Sequence, residues 1–88
     1  MRHGWNPAKS ASNLAKHGVA FDAAEKFDWT TALVQADTRE DYGETRMVAF
    51  GAIGDRLHVL VFTIRRELWI ISLRRASRRE VRHYAREG

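Results

Sequence analysis

No cysteine occurs in the 88 residues. Disulfides and thiolate metal sites are therefore excluded, and a reducing compartment is compatible. Proline occurs once, at Pro7, and lysine only at positions 9, 16 and 26. No apolar run approaches the roughly 18–20 residues a membrane helix needs. The longest, residues 57–64, has strand length. The first five residues lack the apolar stretch of a secretory signal, so a soluble, cytoplasmic protein with no membrane association is expected. The four histidines, His3, His17, His58 and His83, share no i, i+4 or short clamp spacing, and no metal site is expected. No phosphate-binding glycine loop or serine-nucleophile motif occurs, and no cofactor is expected.

The length suits one core, and a single domain over residues 1–88 is expected. The formal net charge is +4, and it is unevenly spread. Residues 65–88 carry eight arginines against three glutamates, whereas residues 1–64 carry seven basic and eight acidic groups. A guanidinium is a planar fork that can grip phosphate at two points. The final quarter is therefore suited to a polyanion, with RNA the leading candidate. A merely solvated basic face is the alternative.

Local patterns place the elements. Asn6 and Pro7 read as a helix N-cap and first helical residue, and Gly18 as the stop, predicting a helix over 7–17. Ala8, Ala11, Leu14 and Ala15 form the apolar stripe expected to face the core. A second helix is expected over 22–28, with Asp22 and Glu25 as its capping box and Ala24 and Phe27 inward. A short strand around Trp5 is expected to lead the chain. Residues 32–36, 46–53, 57–63 and 68–74 read as strands joined by short turns, an antiparallel meander whose third member is apolar on both faces. Ser77 and Glu80 form a capping box for a last helix starting at Arg78, with Val81, Tyr84 and Ala85 toward the sheet. The expected fold is α+β, in the order β-α-α-β-β-β-β-α, with helices packed on an antiparallel sheet.

Chemistry without metal or cofactor on a polyanion suggests RNA cleavage by its own 2′-hydroxyl. That reaction needs proton transfer and cations against the developing phosphorane charge. Glu44, His17 or Tyr84 could handle protons, and arginines could hold the phosphate. A structural role stands beside each: Glu44 pairing with Arg46, His17 closing its helix, Tyr84 packing at the rim. The meander brings Arg46 and Arg65 toward one end of the sheet and puts Arg74 toward the other. Not every arginine can share one pocket in a flat sheet.

Several stretches resemble the BrnT toxin family. They are Trp5-Asn6-Pro7-x-Lys9, Asn13-x-x-Lys16-His17-Gly18-Val19-x-Phe21, Arg39-x-x-Tyr42-Gly43-Glu44-x-Arg46, and Ile70-Ile71-Ser72-x-Arg74-x-Ala76 continuing to Glu80 and Tyr84. One departure is Asn6, where the family usually shows aspartate; both cap helices. The resemblance implies a metal-independent ribonuclease toxin of a type II toxin–antitoxin pair, with a RelE-like fold. It also implies a ribbon-helix-helix antitoxin that neutralises the toxin and alone contacts operator DNA. Carried onto this sequence, it makes Arg74, Glu44, Arg46 and His17 the candidate catalytic residues. Lys16, Arg39, Arg65, Arg75, Arg78, Arg79 and Arg82 are the candidate RNA-binding residues. The alternative is a non-catalytic basic module that binds RNA or the antitoxin.

Overall fold

The computed structural model describes residues 3–87. The chain runs through β1 (His3–Gly4), α1 (Pro7–His17), a 3₁₀ helix (Phe21–Lys26), β2 (Leu33–Ala36), β3 (Met47–Ile53), β4 (Arg56–Ile64), β5 (Leu68–Arg75) and α2 (Arg78–Glu87). The strands form one sheet in the order β1-β5-β4-β3-β2. β2 to β5 pair antiparallel, and β1 joins the β5 edge in parallel. This is an α+β fold with an open, mainly antiparallel sheet packed by helices, consistent with RelE-like topology.

α1 has the expected ends. Asn6 Oδ1 accepts the Ala8 and Lys9 N–H groups, at 2.8 and 3.4 Å. Gly18 closes the helix in the left-handed region, φ 75°, where glycine is least strained. The docking face of α1 differs from expectation. Ala8, Ala11, Leu14 and Ala15 are exposed, and Asn13 is buried instead. The reason lies in β5. Two-residue β1 pairs only with Leu68 and Trp69, leaving the outer edge of β5 open beyond them. Asn13 completes that edge: its Nδ2 donates to the Leu73 and Val19 carbonyls, and its Oδ1 accepts the Leu73 N–H. A buried backbone edge needs a donor and an acceptor, which asparagine supplies and alanine cannot.

The core forms between this layer and one sheet face. Phe21, Ala24 and Phe27 pack with Ala49, Leu60, Phe62, Leu68, Ile70 and Leu73. Phe27 lies so close over Gly51 that any added Cβ would overlap its ring. The segment expected as a helix over 22–28 is a 3₁₀ helix ending at Lys26, and its N-cap, Ala20, makes no side-chain cap bond. Six residues without a cap are too few to sustain an α-helix, and burial of Phe21 and Phe27 sets their conformation instead. Trp5 follows β1 rather than lying in it, and packs against the core.

The other sheet face carries α2. Its capping box forms as expected: Glu80 N–H donates to Ser77 Oγ at 3.2 Å, and Ser77 N–H donates to Glu80 Oε1 at 2.8 Å. Val81 and Ala85, expected inward, are exposed. The inward contacts come from Tyr84, as expected, and from Glu80 and His83. Glu80 binds Arg74, the His83 ring meets Phe50 edge-on at 5.6 Å, and the Tyr84 hydroxyl donates to the Thr31 carbonyl at 2.7 Å. No residue of α2 is fully buried, so polar and aromatic contacts at its rim hold it.

Candidate functional site

The strand register places Leu33, Phe50, Val59 and Arg74 in one row across the sheet. Cross-strand partners share a face, so Arg74 projects on the side covered by α2. A cleft of about 250 Å³ opens there, lined by Val48, Phe50, Val59 and Val61. Its charged groups arrive from two directions. Arg74 and Glu80 come from β5 and α2, and Asp37 and Arg39 from the segment leaving β2.

Each cleft arginine is locked fork-to-fork by a carboxylate. Arg74 Nη1 and Nη2 donate to the two Glu80 oxygens at 2.7 and 2.8 Å. Arg39 Nε and Nη2 donate to the two Asp37 oxygens at 2.8 and 2.7 Å. The hydrogen bonds from Arg74 hold the Glu80 carboxyl down at about 2. Those from Arg39 hold Asp37 down at about 2. Both carboxylates are thus ionised near neutral pH and too weakly basic to collect a proton there. They orient guanidinium groups. A guanidinium has five N–H donors, so each arginine keeps donors for a second anion. The Asp37 side chain is 1% exposed while that of Arg39 is 72% exposed, an anchored cation facing outward.

The remaining predicted residues fall in three places. Glu44 lies 3.9 Å from both Arg46 and Arg65, at the end of the sheet where β3 starts and β4 finishes. Arg46 sits over the Tyr42 ring at 3.9 Å, and the Tyr42 hydroxyl donates to Asp37 Oδ2 at 3.3 Å. Glu44 and Arg46 are thereby linked to the cleft through Asp37, without lining it. Lys16 and His17 line a different depression with Lys9, Ser12, Asn13, Ile71 and Ser72, which shares no residue with the cleft. Ile71 is the residue left unpaired where the β4–β5 register shifts. Arg75, Arg78 and Arg82 line a third hollow, with Arg56. Arg79 is exposed and lines none of these.

Three residues of the site, Asp37, Glu80 and His83, were not read as such from sequence. Glu80 was read as a helix cap and as part of the family-like stretch, without a role in the site. His83 was read only as a histidine without metal partners. In the fold, His83 Nε2 is 3.4 Å from Gln35 Nε2, and its ring meets Phe50; both neighbours line the cleft. The available signal was the spacing of Glu80, His83 and Tyr84, which puts three polar-tipped side chains on one helix face.

Among the described residues no group of three or more His, Cys, Asp or Glu side chains is arranged to hold a metal ion. No helix is long and apolar enough to cross a membrane. No curated protein matches the chain. The family described as "Ribonuclease toxin, BrnT, of type II toxin-antitoxin system" matches residues 5–80. With nearly the whole chain matched, and with an open antiparallel sheet packed by helices beneath it, the chain belongs to the BrnT family of ribonuclease toxins.

Proposed function

We propose that the chain acts as one domain in the cytoplasm and cuts RNA in the cleft between Arg39 and Arg74. The observation that carries this reading is the pair of preset guanidinium forks at one cleft. Two fixed cations suit a phosphorane, whose charge exceeds that of the ground-state phosphodiester. The RNA supplies its own nucleophile. The 2′-oxygen bonds to phosphorus as the bond from phosphorus to the 5′-oxygen breaks. The 2′-hydroxyl proton passes to water, and His83 delivers a proton to the departing 5′-oxygen. Imidazole is the side-chain type suited to that transfer near neutral pH. The products are a 2′,3′-cyclic phosphate and a 5′-hydroxyl end.

Glu80 and Asp37 hold the forks in place. Glu44, Arg46 and Tyr42 fix the loop that presents Arg39. Lys16, His17, Arg65 and Arg79 extend the grip on the RNA backbone outside the cleft. The partner in this reading is a ribbon-helix-helix antitoxin, and operator DNA is contacted through it alone.

The test is cleavage of a short RNA by purified protein, beside the same strand carrying 2′-deoxyribose throughout. The RNA should be cut and the DNA left intact. RNA that is bound but never cut would favour a non-catalytic binding module.

A further inference from the structure

Arg56, Arg75, Arg78 and Arg82 surround a hollow of about 410 Å³ whose remaining lining is Leu57, Ala76 and Val81. It lies across α2 from the cleft. Glu80 faces the cleft, whereas Arg78, Val81 and Arg82 face the hollow. Two features together mark this place.

The first is charge balance. Arg39, Arg46, Arg65 and Arg74 each lie within 4.0 Å of a carboxylate of this chain. Among the described residues, none of the four arginines at the hollow has such a partner. The second is the floor. Val81 is 45% exposed, a large apolar side chain left uncovered amid cations. The floor is anchored by the Ala76 N–H bond to the Leu57 carbonyl at 2.9 Å, which ties the end of β5 to the start of β4.

We propose that this hollow docks a segment of the antitoxin carrying an aliphatic or aromatic anchor flanked by carboxylates. The anchor fills the space over Leu57, Ala76 and Val81, and the carboxylates meet the unpaired arginines. Charge complementarity of this kind sets specificity and speeds encounter, while a buried apolar anchor supplies much of the affinity. RNA fits the hollow less well. Single strands are held on aromatic platforms that stack with bases, and the floor here is wholly aliphatic. The proposal rests on the toxin–antitoxin reading, but not on which residues cut RNA.

Val81→Asp and Arg56→Glu test it from opposite sides of the hollow, and neither residue has a role in RNA cleavage. Affinity would be measured by calorimetry against the antitoxin encoded with this chain, with RNA cleavage assayed in parallel and folding checked by circular dichroism. Each variant should bind the antitoxin about tenfold or more weakly, and cut RNA at the wild-type rate. Wild-type antitoxin affinity in both folded variants would overturn the proposal. So would a loss of RNA binding with antitoxin affinity intact, because the hollow would then serve RNA. Should wild-type protein cut no RNA while the variants lose antitoxin affinity, the docking surface stands and the cleavage reading fails.

Discussion

Arg74 and Glu80 join the last strand to the last helix by two parallel hydrogen bonds of 2.7 and 2.8 Å. Glu80 Oε1 also accepts the Ser77 N–H, so one carboxylate caps α2, docks it and aims the cleft arginine. In the proposed reaction, stability and function are therefore coupled at this residue.

Glu80→Gln separates those roles. Glutamine can keep the bond from Ser77 but loses the charge that holds Arg74. The variant should bind RNA more tightly at low salt, because one negative charge leaves the cleft, yet cut it more slowly, because the fork is no longer aimed. Filter binding and cleavage rates on the same RNA would show the two quantities moving in opposite directions.

Acid should release α2. Glu80 and Asp37 sit near 2 in the folded protein, below their ordinary values of 4.5 and 3.8. A depressed carboxyl stabilises the fold fully above its unfolded value, and that stabilisation is lost as pH falls through the folded one. The melting temperature should thus be flat above pH 5 with respect to these groups and fall between about pH 4.5 and 2. A Glu80→Gln, Asp37→Asn double variant should show a shallower fall over that window.

Asn13 should matter for folding and not for chemistry. Replacing it by leucine leaves the Leu73 N–H and carbonyl without their partner, a cost of about 1–3 kcal/mol. Denaturant unfolding would measure this. Cleavage per folded molecule should be unchanged.

How much of this was legible from sequence follows from the range of the interactions involved. α1 and α2 were read to within a residue because their signals are local: Asn6, Pro7 and Gly18 for one, Ser77 and Glu80 for the other. The strands were found by alternation and short turns. The faces of the helices were misread. Hydrophobicity pointed to Ala8, Ala11 and Leu14, but the open edge of β5 selected Asn13, sixty residues away. On α2 it pointed to Val81, Tyr84 and Ala85; Tyr84 does turn inward, onto Thr31, but Phe50 and Arg74 selected His83 and Glu80 in place of Val81 and Ala85. The Arg39–Arg74 cleft depends on strand register and on Asp37 anchoring its neighbour, neither of which the charge pattern contains.

His83→Ala should slow cleavage by about 10²–10⁴-fold with RNA affinity preserved, the range for loss of a general acid. Single-turnover rates at saturating protein would show it. An RNA whose 5′-oxygen at the scissile bond is replaced by sulfur has a leaving group that needs no acid. On that substrate the variant should recover toward the wild-type rate.

In the proposed reaction Arg39 and Arg74 stabilise a phosphorane formed by the RNA's own 2′-hydroxyl. The most direct test is a cleavage assay on one RNA with a chelator present, comparing wild-type, Arg39→Ala and Arg74→Ala proteins and identifying the new ends. The wild-type protein should leave 2′,3′-cyclic phosphate ends, undiminished by chelator, and each folded variant should cut about 10²–10³-fold more slowly. Undiminished cleavage by both variants, or products with a 3′-hydroxyl end, would contradict the proposed reaction.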